Sequence, residues 1–275
     1  MYRKYIFFLL IITVFSCKTG KFTKLDETEL QKTHKKLANL IEEDSIATFK
    51  TLFKKTNFDP NHVDFGTTLL FDAVSENELE ICKFLLKKGA DVNFISHYGT
   101  VMHWALESNK IEMANLLLKY GYDPSTEKNS IQDAKPLNVL AAFLITKNSD
   151  NFELFKKLLE KGMNPNLKDR DGACALILGC YYANSELISL LHKNGANMNI
   201  KAIPQEDNPN LRPPEFTKNQ YTPLMIATLF EKTEVVKQLL SYPEVDKSIE
   251  GLENHKTAYD IALDTKNEAL IALFK

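Results

Sequence analysis

Between Asp64 and Asn93 two short stretches of helical apolar spacing are separated by a polar break and closed by Gly89-Ala90-Asp91-Val92-Asn93. Leu69, Leu70, Phe71 and Ala73 mark the first stretch, and Leu79, Ile81, Leu85 and Leu86 mark the second at spacings that place them on one helix face. The arrangement recurs. Thr100 to Ala105 repeats Thr68 to Ala73 after 32 residues, and Tyr120 to Pro124 repeats Lys88 to Val92. A period in the low thirties with two helices per unit predicts a solenoid, in which each unit contacts only its neighbours and the terminal units act as caps.

Taken in order, the predicted units are 26–61, 62–93, 94–126, 127–166, 167–199, 217–248 and 249–275, in a single domain 26–275 with a loop insertion at 200–216. The first holds Asp26 and Glu29 in capping-box spacing, then apolar stripes at Leu30, Leu37, Leu40, Ile41 and at Ile46, Phe49, Leu52, Phe53 behind Asp44 or Ser45. It lacks the Gly-x-Thr opening of later units, as a cap over the first open face would. The third full unit carries extra residues near Thr146 to Asn151, between its predicted helices. Threonine at a helix start accepts from orphan N–H groups, and Pro223, one position on, has no N–H to orphan. Gly89, Gly121, Gly162 and Gly195 follow the second helices, and Lys87, Lys88, Lys119, Lys161 and Lys193 crowd the same ends. There they complement the helix dipole and require no anionic ligand.

Gly66-Thr67-Thr68-Leu69-Leu70, Ala73, Leu79-Glu80-Ile81, Leu85-Leu86 and Gly89-Ala90-Asp91-Val92-Asn93 resemble the ankyrin-repeat pattern of Gly-x-Thr-Pro-Leu-His-x-Ala, Leu-Glu-Ile-Val and Leu-Leu-x-x-Gly-Ala-Asp-Val-Asn. The second full unit adds Thr100, His103, Ala105, Leu117-Leu118, Gly121 and Asp123, and the fifth adds Thr222-Pro223-Leu224-Met225. The third is degenerate, and Val245-Asp246 replaces Gly-Ala-Asp at the end of the fifth. The resemblance covers residues 45–275 and implies an all-α, ankyrin-repeat solenoid of helix-turn-helix units with capping helices at both ends. It also implies that His103 braces neighbouring turns and that contacts are made by turn tips and by the ends of the first helices. Carried over by phase, those positions give Phe65, His97, Phe143, Tyr181, Tyr182, Tyr221 and Phe230 as partner-binding residues. Five of them, Phe143, Tyr181, Tyr182, Tyr221 and Phe230, form an expected aromatic stripe. A register shift of one residue would instead make Phe143 or Phe230 core. The insertion carries Pro204, Pro209, Pro213 and Pro214 and is either a binding element beside the stripe or a neutral loop.

The N-terminus follows a different pattern. Arg3 and Lys4 precede an apolar run from Tyr5 to Phe15, broken by Thr13, too short to span a bilayer and of signal-peptide length. Val14-Phe15-Ser16-Cys17 resembles the lipobox of bacterial lipoproteins, with Phe15 bulkier than usual; a plain secretory signal and a buried helix are the alternatives. The resemblance implies removal of residues 1–16, lipidation of Cys17 and a tether over 17–25. Lys18 is not the aspartate of an inner-membrane retention signal, so the expected location is the cell envelope, lipid-anchored on the periplasmic face of the outer membrane. The remaining cysteines, Cys82, Cys174 and Cys180, read as small core hydrophobes. Cys174 and Cys180 lie on different faces of one predicted helix.

Charge and motifs narrow the function. A net charge of −2 with no basic stripe gives no nucleic-acid footprint. There is no phosphate-binding Gly loop, no Gly-x-Ser-x-Gly and no His-Glu-x-x-His, and His34, His62, His97, His103, His192 and His255 are scattered. No catalytic, cofactor-binding or metal-ligating residues are expected. What remains is a monomeric, non-catalytic module that binds another protein and reaches the membrane through lipid on Cys17. Resemblance to small bacterial ankyrin lipoproteins implies an immunity factor against a toxic effector; the alternative is a scaffold or accessory subunit of a resident envelope enzyme.

Overall fold

The computed structural model describes residues 26–96, 98–126, 136–148, 151–169, 171–203 and 215–275. Within them α1 (Glu27–Glu42) pairs with α2 (Ile46–Thr56), α3 (Leu69–Ser75) with α4 (Leu79–Lys87), and α5 (Val101–Glu107) with α6 (Ile111–Lys119). Then come α7 (Leu137–Lys147) with α8 (Phe152–Glu160), α9 (Ala175–Tyr181) with α10 (Ser185–Lys193), and the single turn α11 (Glu215–Lys218). Two further pairs close the series, α12 (Pro223–Leu229) with α13 (Thr233–Leu240) and α14 (Ala258–Thr265) with α15 (Glu268–Ala272). Short antiparallel hairpins join some pairs: β1 (Val63–Asp64) with β2 (Thr67–Thr68), and β3 (Ile95–Ser96) with β4 (Gly99–Thr100). No helix among the described residues is long and apolar enough to cross a membrane.

The chain makes these elements for local reasons. Thr68, Thr100, Thr222 and Thr257 each cap a first helix by accepting from the N–H three residues on, at 3.2–3.4 Å. Asn77, Asn109, Ala183, Glu231 and Lys266 turn the chain between first and second helices in the left-handed region, φ 52–66°. The extra residues of the third unit go partly into its first helix. α7 runs for 11 residues where α3, α5, α9 and α12 run for 7.

Packing then sets the curvature. Each first helix lies against the next, in the order α1, α3, α5, α7, α9, α12, α14, while successive second helices approach one another less closely. The first helices therefore line the inner, concave side. Their apolar residues merge with those of the second helices into one continuous core, from Leu37 and Phe49 through Leu69, Met102 and Phe155 to Ile261 and Leu270. Cys82, Cys174 and Cys180 are free and buried inside it.

A ladder of asparagines clamps one unit to the next. Asn61 donates from Nδ2 to the Gly89 carbonyl (3.0 Å) and accepts from the Asp91 N–H (2.7 Å). Asn93 does the same with Gly121 (3.3 Å) and Asp123 (2.8 Å), Asn166 with Gly195 (3.2 Å) and Asn197 (2.7 Å), and Asn199 with Glu244 (2.7 Å) and Asp246 (2.8 Å). Ser125 occupies the corresponding place in the second full unit, and its Oγ turns back to Asp123 Oδ1 at 2.7 Å. Two bonds per rung at about 1 kcal/mol each set the expected effects. Asn166→Ala should lower the unfolding free energy in urea by about 1–2 kcal/mol. Ser125→Asn, whose side chain faces Gly162, should add a rung and about 0.5–1 kcal/mol; an unchanged midpoint in both would show that the ladder contributes nothing.

Candidate functional site

The first helices end on the concave side, and the residues at those ends change in kind along the array. Glu42 and Glu43 end α1, Ser75 and Glu76 end α3, and Glu107 and Ser108 end α5. Tyr181 and Tyr182 hold the same places on α9, and Leu229 and Phe230 on α12. Phe143 lies at the same height on α7, within the helix because α7 is longer.

Three of the sequence-predicted aromatic residues come together. The Tyr181 ring stands edge-on to Tyr182 (centroids 5.0 Å apart) and to Phe230 (4.8 Å). Phe216, on α11, joins them at 6.3 Å from Phe230. These rings wall an open cleft of about 550 Å³ floored by Ala173, Ile177 and Leu178. Tyr181, Tyr182 and Phe230 remain 36–47% exposed. Large apolar rings left in water around a cleft of ligand-holding size are characteristic of contact surfaces.

Phe216 escaped the sequence reading because the insertion breaks the phase by which its neighbours were aligned. It is the last residue of that insertion, and no period points to it.

Tyr221 does not belong to the stripe. It is 2% exposed, and its hydroxyl accepts a hydrogen bond from Asn254 Nδ2. The turn tip falls one residue earlier, where Gln220 takes a left-handed φ of 52°, so Tyr221 points inward against Gly251. Phe143 is 38% exposed, on the helix that packs against α9. Phe65 lies far from the cleft, at the tip of the β1–β2 hairpin, with 91% of its surface exposed. Its φ of 46° occupies a position where a two-residue turn favours asparagine. His97 and Cys17 lie outside the described residues, as do residues 1–25 and 204–214 of the predicted signal, tether and insertion.

Beside the aromatic cleft, and sharing Leu229 with it, is a polar recess of about 240 Å³ between Tyr221, Asn254 and Ile261. Lys256 and Asp264 form an ion pair at its edge. His103 and the three buried cysteines have structural settings. His103 Nδ1 lies 2.8 Å from the Thr100 hydroxyl, which in turn meets the Tyr122 hydroxyl at 3.1 Å, bracing adjacent turns. Burial pushes the Cys174 thiol up to about 11 and those of Cys82 and Cys180 higher still, so at neutral pH none forms a nucleophilic thiolate. Among the described residues no group of three or more His, Cys, Asp or Glu side chains is placed to hold a metal ion.

Known proteins resemble this arrangement. The family model for ankyrin repeats (3 copies) matches residues 37–128. Human transient receptor potential cation channel subfamily A member 1 is 30% identical over 134 residues, 48% of this chain, and the chain spans 8% of the length of that relative. Among solved structures, the human ASB11 ankyrin repeat domain is 20% identical at a TM-score of 0.56, covering 86% of this chain and 96% of that one. The ankyrin repeat domain of Bcl-3, from the IkappaB protein family, is 18% identical at 0.59, with the same coverage of 86% and 96%. A chain in the structure of the Bd0816 predatory endopeptidase from Bdellovibrio bacteriovorus in complex with immunity protein Bd3460 is 23% identical at 0.53, covering 74% of this chain and 96% of that one.

Proposed function

We propose that this ankyrin-repeat solenoid is a non-catalytic module that holds a protein partner against its concave side, with Tyr181, Tyr182 and Phe230 as anchors. The observation that carries the reading is the exposed aromatic cleft between α9 and α12, on a scaffold of repeats that presents an extended concave surface. Tyrosine supplies large contact area at low entropic cost and is enriched among the residues that dominate interfaces. The lipobox-like Ser16-Cys17 after an apolar run supports anchoring in the bacterial envelope through lipid on Cys17, facing the periplasm. Within that setting we favour an immunity factor that occludes a toxic enzyme. One neighbour by fold comes from an endopeptidase in complex with its immunity protein, and a cleft that takes an apolar side chain suits occlusion.

The test is affinity purification of the full chain from its own envelope, comparing wild type with Tyr181→Ala/Tyr182→Ala and Cys17→Ala. Both tyrosines are exposed, so the double variant should remain folded while its affinity for the recovered partner falls about tenfold to a hundredfold. Cys17→Ala should keep the partner and leave the membrane fraction. Undiminished affinity in the folded double variant would refute the cleft as the contact surface. Growth of a deletion strain without any toxicity would favour the scaffold role over immunity.

A further inference from the structure

The aromatic cleft is one end of a row whose other end is acidic. Glu42, Glu43, Glu76 and Glu107 stand exposed at the ends of α1, α3 and α5, and none forms an ion pair among the described residues. Asp44 and Glu76 stand near Glu78; burial, together with the neighbouring Asp44 carboxylate, holds the Glu78 carboxyl above its usual range. Lys110, the lysine that reaches this end of α3, is engaged by the Val74 and Ser75 carbonyls at 3.2 and 2.7 Å. Around the cleft itself Lys218 pairs with Glu253 and Lys256 with Asp264, while Glu231, next to Phe230, accepts from Asn267 Nδ2 at 2.9 Å. Among the described residues the negative charge on the concave row is therefore densest over the N-terminal units, where the Lys110 ammonium offsets one of several carboxylates.

We infer that the segment seated in the aromatic cleft belongs to a polypeptide partner that places lysine or arginine side chains along the Glu42–Glu107 row while an apolar side chain fills the cleft. This rests on the cleft being a protein-binding site and specifies the chemistry of what binds there. Complementary charge raises association rates and selects among partners that share an apolar anchor. Spacing follows from the stack. Packed helices lie about 8–10 Å apart, so Glu107 and Glu76 stand two and three steps from Tyr182, roughly 16–30 Å. An extended chain advances about 3.3–3.6 Å per residue, which puts the basic residues about five to nine positions from the anchor.

The probe is a labelled 14-residue peptide with two tryptophans at one end and three arginines at the other, separated by seven alternating Gly and Ser residues and capped by a further Gly and Ser. A partner peptide with glutamates in place of the arginines is the control. The arginine peptide should bind the full chain at least tenfold tighter than the glutamate peptide, and the difference should shrink as salt rises from 50 to 300 mM. Glu76→Lys/Glu107→Lys should reverse the preference. Cations at helix C-termini complement the dipole, so this variant should be no less stable than wild type, which separates a binding effect from misfolding. Equal binding of the two peptides, abolished by Tyr181→Ala/Tyr182→Ala, would overturn the charge inference and leave the cleft as a contact surface. Binding of neither peptide would overturn the inference too, leaving the cleft to be judged on the natural partner.

Discussion

Tyr221→Ala should lower the unfolding free energy by about 3–5 kcal/mol, the range for removing a large buried aromatic side chain. Tyr221 is among the largest fully buried side chains, packed where α12 meets the final unit. Three features keep the site from collapsing around a smaller residue. The backbone of Tyr221 is tied on both sides, its N–H donating to the Phe216 carbonyl (2.8 Å) and its carbonyl accepting from the Ala202 N–H (3.0 Å). Gly251 already presses against the ring, since a Cβ there would meet Tyr221 Cε1 at 2.9 Å. Asn254 would also lose the acceptor that the hydroxyl provides. Tyr221→Phe keeps the ring and should cost only about 1–2 kcal/mol, from the Asn254 amide left without its partner. Urea unfolding of the two variants separates the contributions; a loss under about 1 kcal/mol for alanine would place the ring outside the core.

Gly172→Ala should cost about 2–4 kcal/mol, although it adds a single methyl at a buried position near the start of the fourth unit. Gly172 takes a φ of 80°, where any Cβ is strained, and a Cβ there would lie 2.6 Å from the Ile203 carbonyl carbon and 2.7 Å from its oxygen. Backbone atoms at that distance do not yield as a side-chain tip would. Ile203 cannot retreat freely, because Ala202 is fully buried and held by Tyr221. Gly172 is thus where the start of the long insertion is pressed onto the array, one residue from Ala173 in the cleft floor. Thermal unfolding checks it. A shift of less than about 1 °C would mean the approach is loose.

Much of the fold was legible because the repeat sets a phase. Thr68, Thr100 and Thr222 cap helices, the left-handed glycines end them, and the residues seven and eight places after each cap fall at one height on the concave side, which places Tyr181, Tyr182 and Phe230. Phase fails where units are irregular. Tyr221 looked like a tip residue, but Gln220 makes the turn one position earlier and sends the next side chain inward. Phe216 lies in an insertion with no counterpart in other units. The third unit absorbs part of its extra length by extending α7 and so keeps its place in the stack. The asparagine ladder was equally hard to read, because each rung joins a side chain to backbone about thirty residues away and leaves no apolar signature.

Hydrogen exchange of the full chain with and without its purified partner tests concave-side binding most directly. Protection on binding should concentrate in residues 174–183 and 222–231, the first helices and turns that carry Tyr181, Tyr182 and Phe230, and extend more weakly toward Glu76 and Glu107. Protection confined to the second helices, α4, α6, α10 and α13, with the first-helix ends exchanging as in the free protein, would contradict it.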